Sequence, residues 1–258
     1  MCSKALITLS LLLSVAVLPV CAQQRADDDS RFGHGKDSIQ CLLNMGMTRE
    51  YVRKKEYKKA YQPWKKAITS CPKSQVSLYT DGVKILHAML ETETDSLRHA
   101  VYLGELMDLY DKILLYKDDW RRFMVVPMEA DYLRAVKAYD YFHYGGCSLD
   151  LQTAHRYVHE ALDCVQNVPF CYLLLTWMEL NLEIYRSDAT FRDTYIEEYK
   201  HALAFIQKGY EAASVKNREM WDRTLVLVNE MFRKSGLDSP EYVHAGELTS
   251  YEDLLKLL

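Results

Sequence analysis

The sequence predicts an all-α protein built from stacked antiparallel helix hairpins. Two observations carry that prediction. Glycine and proline are scarce, at 10 and 6 in 258 residues, and no alternating apolar–polar run lies between paired turn signals, as strands would require. The run Glu56–Pro72, EYKKAYQPWKKAITSCP, sets Ala60, Trp64 and Ala67 on one helical face, small–large–small, with Pro72 where that helix must end.

The segment 1–22 reads as an export signal. Lys4 supplies a positive start, Ala5–Leu18 a short apolar run, and Val20-Cys21-Ala22 the small residues before a cut after Ala22. The run is shorter than the roughly 20 apolar residues of a membrane span. Cys21 opens an alternative, an outer-membrane lipoprotein anchored through that cysteine, but Pro19-Val20 stands where such a site takes a small residue. Residues 23–37 are polar, acidic and glycine-containing, and read as a flexible leader to a helical domain over 38–258. The expected location is therefore exported, in the periplasm or cell envelope.

Within that domain, Ile39–Lys54 reads as the first helix, with Leu42, Leu43, Met45, Met47, Tyr51 and Val52 as its apolar face. Lys54-Lys55-Glu56 is polar enough for a tight connection to the second helix, which carries the Ala60/Trp64/Ala67 stripe. The hairpin is a unit of about 34 residues. The register continues beyond Pro72, where Gly82 is flanked by Leu78 and Ile85 at apolar offsets.

These residues resemble the tetratricopeptide-repeat (TPR) family: Ala60, Trp64, Ala67 and Pro72 match the second helix of a repeat, and Gly82 the small residue of the next first helix. The likeness is specific over 40–117 and degenerate over 125–235. The second unit departs from the pattern, with a lengthened connector at Glu91–Asp95 and Ala100, Gly104 and Met107 in its second helix, Ser96–Tyr116. A partial third stripe is Ala154, Val158 and Ala161, with Gln166 where the proline would stand. The resemblance implies a short right-handed α-solenoid with a concave face built from the first helix of each hairpin. On that register Met45, Arg49, Arg53, Tyr79, Val83 and His87 line a partner-binding groove. Met45 and Tyr79 would be its apolar anchors, and Arg49 and Arg53 its partners for carboxylates.

The remaining helices follow from periodicity and stop signals. Met128–Tyr144 ends at Gly145-Gly146; Ser148 or Asp150 caps a helix to about Val165; Pro169 opens an apolar one. Asp188 or Thr190 caps a helix to about Gly209, and Val215–Lys234 ends before Gly236. Thr249-Ser250-Tyr251-Glu252 is a capping box for a terminal helix over 249–258.

In the hairpin Cys41 and Cys71 fall at adjacent ends, so a disulfide between them is expected. Cys164 and Cys171 flank a short connector and form a second candidate pair, leaving Cys147 as the odd thiol.

No catalytic residues are indicated. GxSxG, P-loop and GxGxxG runs are absent from the sequence, so the chain reads as a non-enzyme with no cofactor. His155 and His159 share a face one turn apart, with Asp163 a further turn on, a stripe that would suit a divalent metal. Arg156 after the first histidine breaks the HExxH arrangement, and the expectation is two solvated histidines and no metal. A net charge of −4 gives no sign of nucleic-acid binding, and the lysines at 54–55, 58–59 and 65–66 read as a solvated face. The function expected is an exported scaffold holding another polypeptide. The alternatives are a helical enzyme or small-ligand carrier with a site between hairpins, or a structural envelope component.

Overall fold

A computed structural model describes residues 31–122 and 129–237. These form nine α-helices, with no strand among the described residues: α1 (Lys36–Arg53), α2 (Tyr57–Ser70), α3 (Val76–Thr92), α4 (Ser96–Arg121), α5 (Ala130–Tyr144), α6 (Leu151–Leu162), α7 (Cys171–Ser187), α8 (Arg192–Ala212) and α9 (Val215–Arg233). The segments expected as signal peptide (1–22, with Cys21) and terminal helix (249–258), and most of the expected leader, lie outside the described residues. No described helix is long and apolar enough to cross a membrane.

Local chemistry sets the boundaries. The Asp95 carboxylate accepts from the Arg98 amide and starts α4, and Asp150 does the same for α6 through the Thr153 amide. Between α1 and α2, Lys55 takes a left-handed φ of 59°, which lets the chain reverse in a tight turn. α1 begins at Lys36, and Phe32 packs against the core.

Consecutive helices pack as pairs, α1 on α2, α3 on α4 and α5 on α6. The second helix of each pair also meets the first of the next, α2 on α3, α4 on α5 and α6 on α7. First helices touch each other as well, α1 with α3, α3 with α5, and α5 with α7. At the C-terminal end α7, α8 and α9 pack on one another.

All four tryptophans are buried. Trp64 of α2 lies against Gly82 of α3, and its Nε1 donates to the Leu78 carbonyl at 3.1 Å. Trp221 of α9 packs on Gly209 of α8 in the same manner. In both places a bare Cα lets a neighbouring helix bring an indole to the backbone. Trp120 explains why α4 outruns its expected end at Tyr116. Its ring is fully buried beside Tyr79, 4.8 Å between centroids, and its Nε1 donates to the Lys73 carbonyl at 3.0 Å. The last turn of α4 thus clamps the α2–α3 connection.

Cys41 and Cys71 form a disulfide, with Cα atoms 6.1 Å apart. The second candidate pair is corrected: Cys164 and Cys171 are both free thiols, as is Cys147. The Cys164 sulfur instead accepts from the Arg134 guanidinium at 2.8 Å, and burial pushes the Cys171 thiol up. The apolar face assigned to α1 is corrected too. Cys41, Met45 and Thr48 are its buried residues and Tyr51 and Val52 pack against the core, whereas Leu42, Leu43 and Met47 of the expected face are exposed. The helix has two apolar stripes, and the disulfide selects which one faces α2.

Candidate functional site

Two regions collect chemistry-bearing side chains. The first is an open depression of about 600 Å³ between α1 and α3, lined by Arg49, Glu50, Arg53, Thr80, Asp81 and Lys84 among others. Arg49 and Arg53 point outward, and among the described residues neither makes an ion pair. Asp81 on the opposite wall is half-buried. Burial pushes its carboxyl above the usual aspartate range, and Lys84 and Arg49 pull it part of the way back.

Of the six residues expected to line a groove, Arg49 and Arg53 stand in this depression. Met45 and Tyr79 are corrected, because both belong to the core. The Met45 sulfur lies 3.5 Å from that of Cys41, under α2. Tyr79 is fully buried, and its hydroxyl donates to the Pro72 carbonyl at 2.8 Å. Val83 is half-buried against the core. His87 is also tied inward: its Nε2 is 2.6 Å from Asp140 Oδ2, and its ring stacks on Tyr144 at 4.2 Å. Asp140 is buried on α5 and accepts a short hydrogen bond from the Tyr110 hydroxyl as well. His87, Tyr110 and Asp140 therefore join α3, α4 and α5 through one carboxylate.

The second region joins α6, α7 and α8. His155 and His159 of α6 turn both Nε2 atoms to Glu198 Oε1 on α8, each at 3.0 Å, and the two Nε2 atoms are 3.2 Å apart. The other carboxylate oxygen, Oε2, accepts from Trp177 Nε1 at 2.6 Å and from Asn181 Nδ2 at 2.7 Å, both on α7. Burial pushes the Glu198 carboxyl up, but the hydrogen bonds from His155 and His159 outweigh it and hold the group well below the usual glutamate range. The same hydrogen bond raises His159 above the usual imidazole value. One turn of helix does bring the two histidines together, as their spacing implies. Their carboxylate partner is Glu198, two helices further along the chain, and not Asp163. The sequence carried no sign of it, because only the packing of α8 on α7 brings Glu198 there.

Set against known protein families, curated proteins and solved structures, the chain gives no match.

Proposed function

We propose that this chain is a TPR-like scaffold of the cell envelope that holds an acidic, partly apolar segment of another polypeptide against α1 and α3. The observation that carries this reading is the open depression in which Arg49 and Arg53 face outward without an ion pair among the described residues. Two guanidiniums one helical turn apart suit a pair of carboxylates on an extended or helical ligand.

The pairing of helices supports the repeat reading. First helices of successive hairpins contact one another, as they must where hairpins stack into a solenoid. The apolar anchors of the surface are then the exposed stripe of α1, Leu42, Leu43 and Met47, rather than Met45 and Tyr79. Leu42 lies in line with Arg49 and Arg53, at offsets of two and three turns. A partner presenting acidic side chains beside apolar ones matches both features.

The test is site-specific photo-cross-linking in cells, from Leu43 on this face and from the exposed Lys208 of α8 as a control. A discrete adduct from Leu43 alone, lost in the Arg49→Ala/Arg53→Ala variant at unchanged melting temperature, is the expected result. Equal adducts from both positions, or unfolding of the double variant, would remove the basis of the proposal.

A further inference from the structure

We propose that His155, His159 and Glu198 form a binding site for a divalent transition-metal ion of the zinc class. The donor set comes first. Two neutral imidazole nitrogens and one carboxylate oxygen are the ligands that zinc takes in open, three-residue sites, and that other first-row divalent ions take in facial triads.

The spacing agrees with one shared ion. The three atoms form a nearly equilateral triangle with edges of 3.0, 3.0 and 3.2 Å. A tetrahedral ion with bonds of about 2.0–2.1 Å separates any two of its ligands by about 3.3 Å. A point about 1 Å out of the plane of these three atoms is within such a bond length of each of them. The donor atoms therefore need almost no movement to bind.

The supporting groups hold that geometry. Trp177 and Asn181, both buried, donate to Oε2 of Glu198 and fix the carboxylate with Oε1 turned to both histidines, His155 also lying 3.2 Å from Oε2. Ligand carboxylates are commonly fixed by such outer donors. The imidazoles are braced edge-on, His155 by Phe191 at 5.5 Å and His159 by Trp177 at 5.8 Å between centroids. Exposure is graded across the cluster: the side chains are 9% exposed for Glu198, 21% for His155 and 39% for His159. The ion would rest on a buried carboxylate with its fourth position open to solvent.

Hydrogen bonding alone accounts less well for the pair. Oε1 has lone pairs enough to accept from both imidazoles, but the rings are then held against each other. With both imidazoles donating to that oxygen, their nitrogens meet donor to donor at 3.2 Å. A cation replaces that contact with attraction to all three groups. It would also clip α6 to α8 across α7, joining positions distant in sequence.

The experiment is calorimetric titration of the metal-free, tag-free chain with Zn²⁺, in a Cys147→Ser background so that the exposed thiol does not compete. Co²⁺ is added in parallel and its visible d–d absorption recorded. The expected result is one ion per chain, a higher melting temperature with Zn²⁺, and a d–d spectrum of low-coordinate Co²⁺. His159→Gln should lower Zn²⁺ affinity at least about tenfold and shrink the rise in melting temperature that Zn²⁺ produces. His155→Gln serves as the second variant and should weaken binding likewise. Absence of saturable binding, or equal affinity in the parent and both variants, would overturn the proposal.

Discussion

Gly82 is the floor on which Trp64 rests: a Cβ at residue 82 would stand 2.5 Å from the indole Nε1. Gly82→Ala therefore sets helix propensity against sterics. The methyl should gain up to about 1 kcal/mol as a helix former, and displacing the indole should cost about 1–3 kcal/mol. Because Nε1 is also anchored to the Leu78 carbonyl, the ring has no free direction in which to yield. Net destabilisation is expected in urea unfolding. Trp64→Ala should cost about 3–5 kcal/mol in the same assay. A stabilised Gly82→Ala protein would show that α2 and α3 are not packed this closely.

The disulfide gives a second prediction. Cys41 and Cys71 close a loop with a sequence separation of 30. Cys41→Ser/Cys71→Ser should lower unfolding free energy by about 3–4 kcal/mol, chiefly by freeing the unfolded chain. Cys147, Cys164 and Cys171 should all alkylate in denaturant without reductant, whereas Cys41 and Cys71 should not. Protection of Cys164 and Cys171 under those conditions would restore the second bridge.

His87 separates fold from recognition. Its Nε2 serves Asp140, which is buried and shared with Tyr110. His87→Ala leaves that carboxylate one partner short and should cost about 1–3 kcal/mol of stability. It should not change the cross-link from Leu43, because the imidazole faces α5. A variant that melts normally and loses the adduct would return His87 to the binding face.

The helices were legible because helix signals are local. Stripe spacing, Asp150 as a cap, and the Gly145-Gly146 break each act within one or two turns. The Cys41–Cys71 pair was legible for a related reason: a hairpin with a short turn brings its two ends together. Side-chain direction was less legible where a helix carries two apolar stripes. In α1 the set Cys41, Met45, Thr48 and the set Leu42, Leu43, Met47 are both apolar enough to be buried. Only the covalent link and the packing of α2 decide between them. Tyr79 was assigned to a groove by repeat register, but α4 runs on to Trp120 and covers it. Glu198 was illegible altogether, because its role depends on contacts among three helices.

Asp81 yields the last prediction, which concerns pH. Its folded-state pKa is raised above the ordinary 3.8, first by burial, with Lys84 on α3 and Arg49 on α1 opposing the shift. A carboxyl that holds its proton more tightly when folded favours folding at low pH. The contribution of Asp81 to stability therefore falls as pH rises from its unfolded pKa through its folded one, and it stays unfavourable above that window. Asp81→Asn should remove this slope and raise stability at neutral pH. Arg49→Ala should push the Asp81 pKa further up and extend the window upward, whereas a structurally idle arginine would leave it in place. Carbon-detected NMR titration of the side-chain carboxyl in the parent and in Arg49→Ala reads both. A fall in the Asp81 pKa on removal of Arg49 would contradict the charge arrangement on which the binding face depends. The same arrangement links protons to the proposed partner. An acidic segment seated on Arg49 brings negative charge toward Asp81, raises its pKa again, and should draw in a proton on binding. Binding should then tighten as pH falls toward the Asp81 pKa, and Asp81→Asn should abolish that dependence while strengthening the complex at neutral pH.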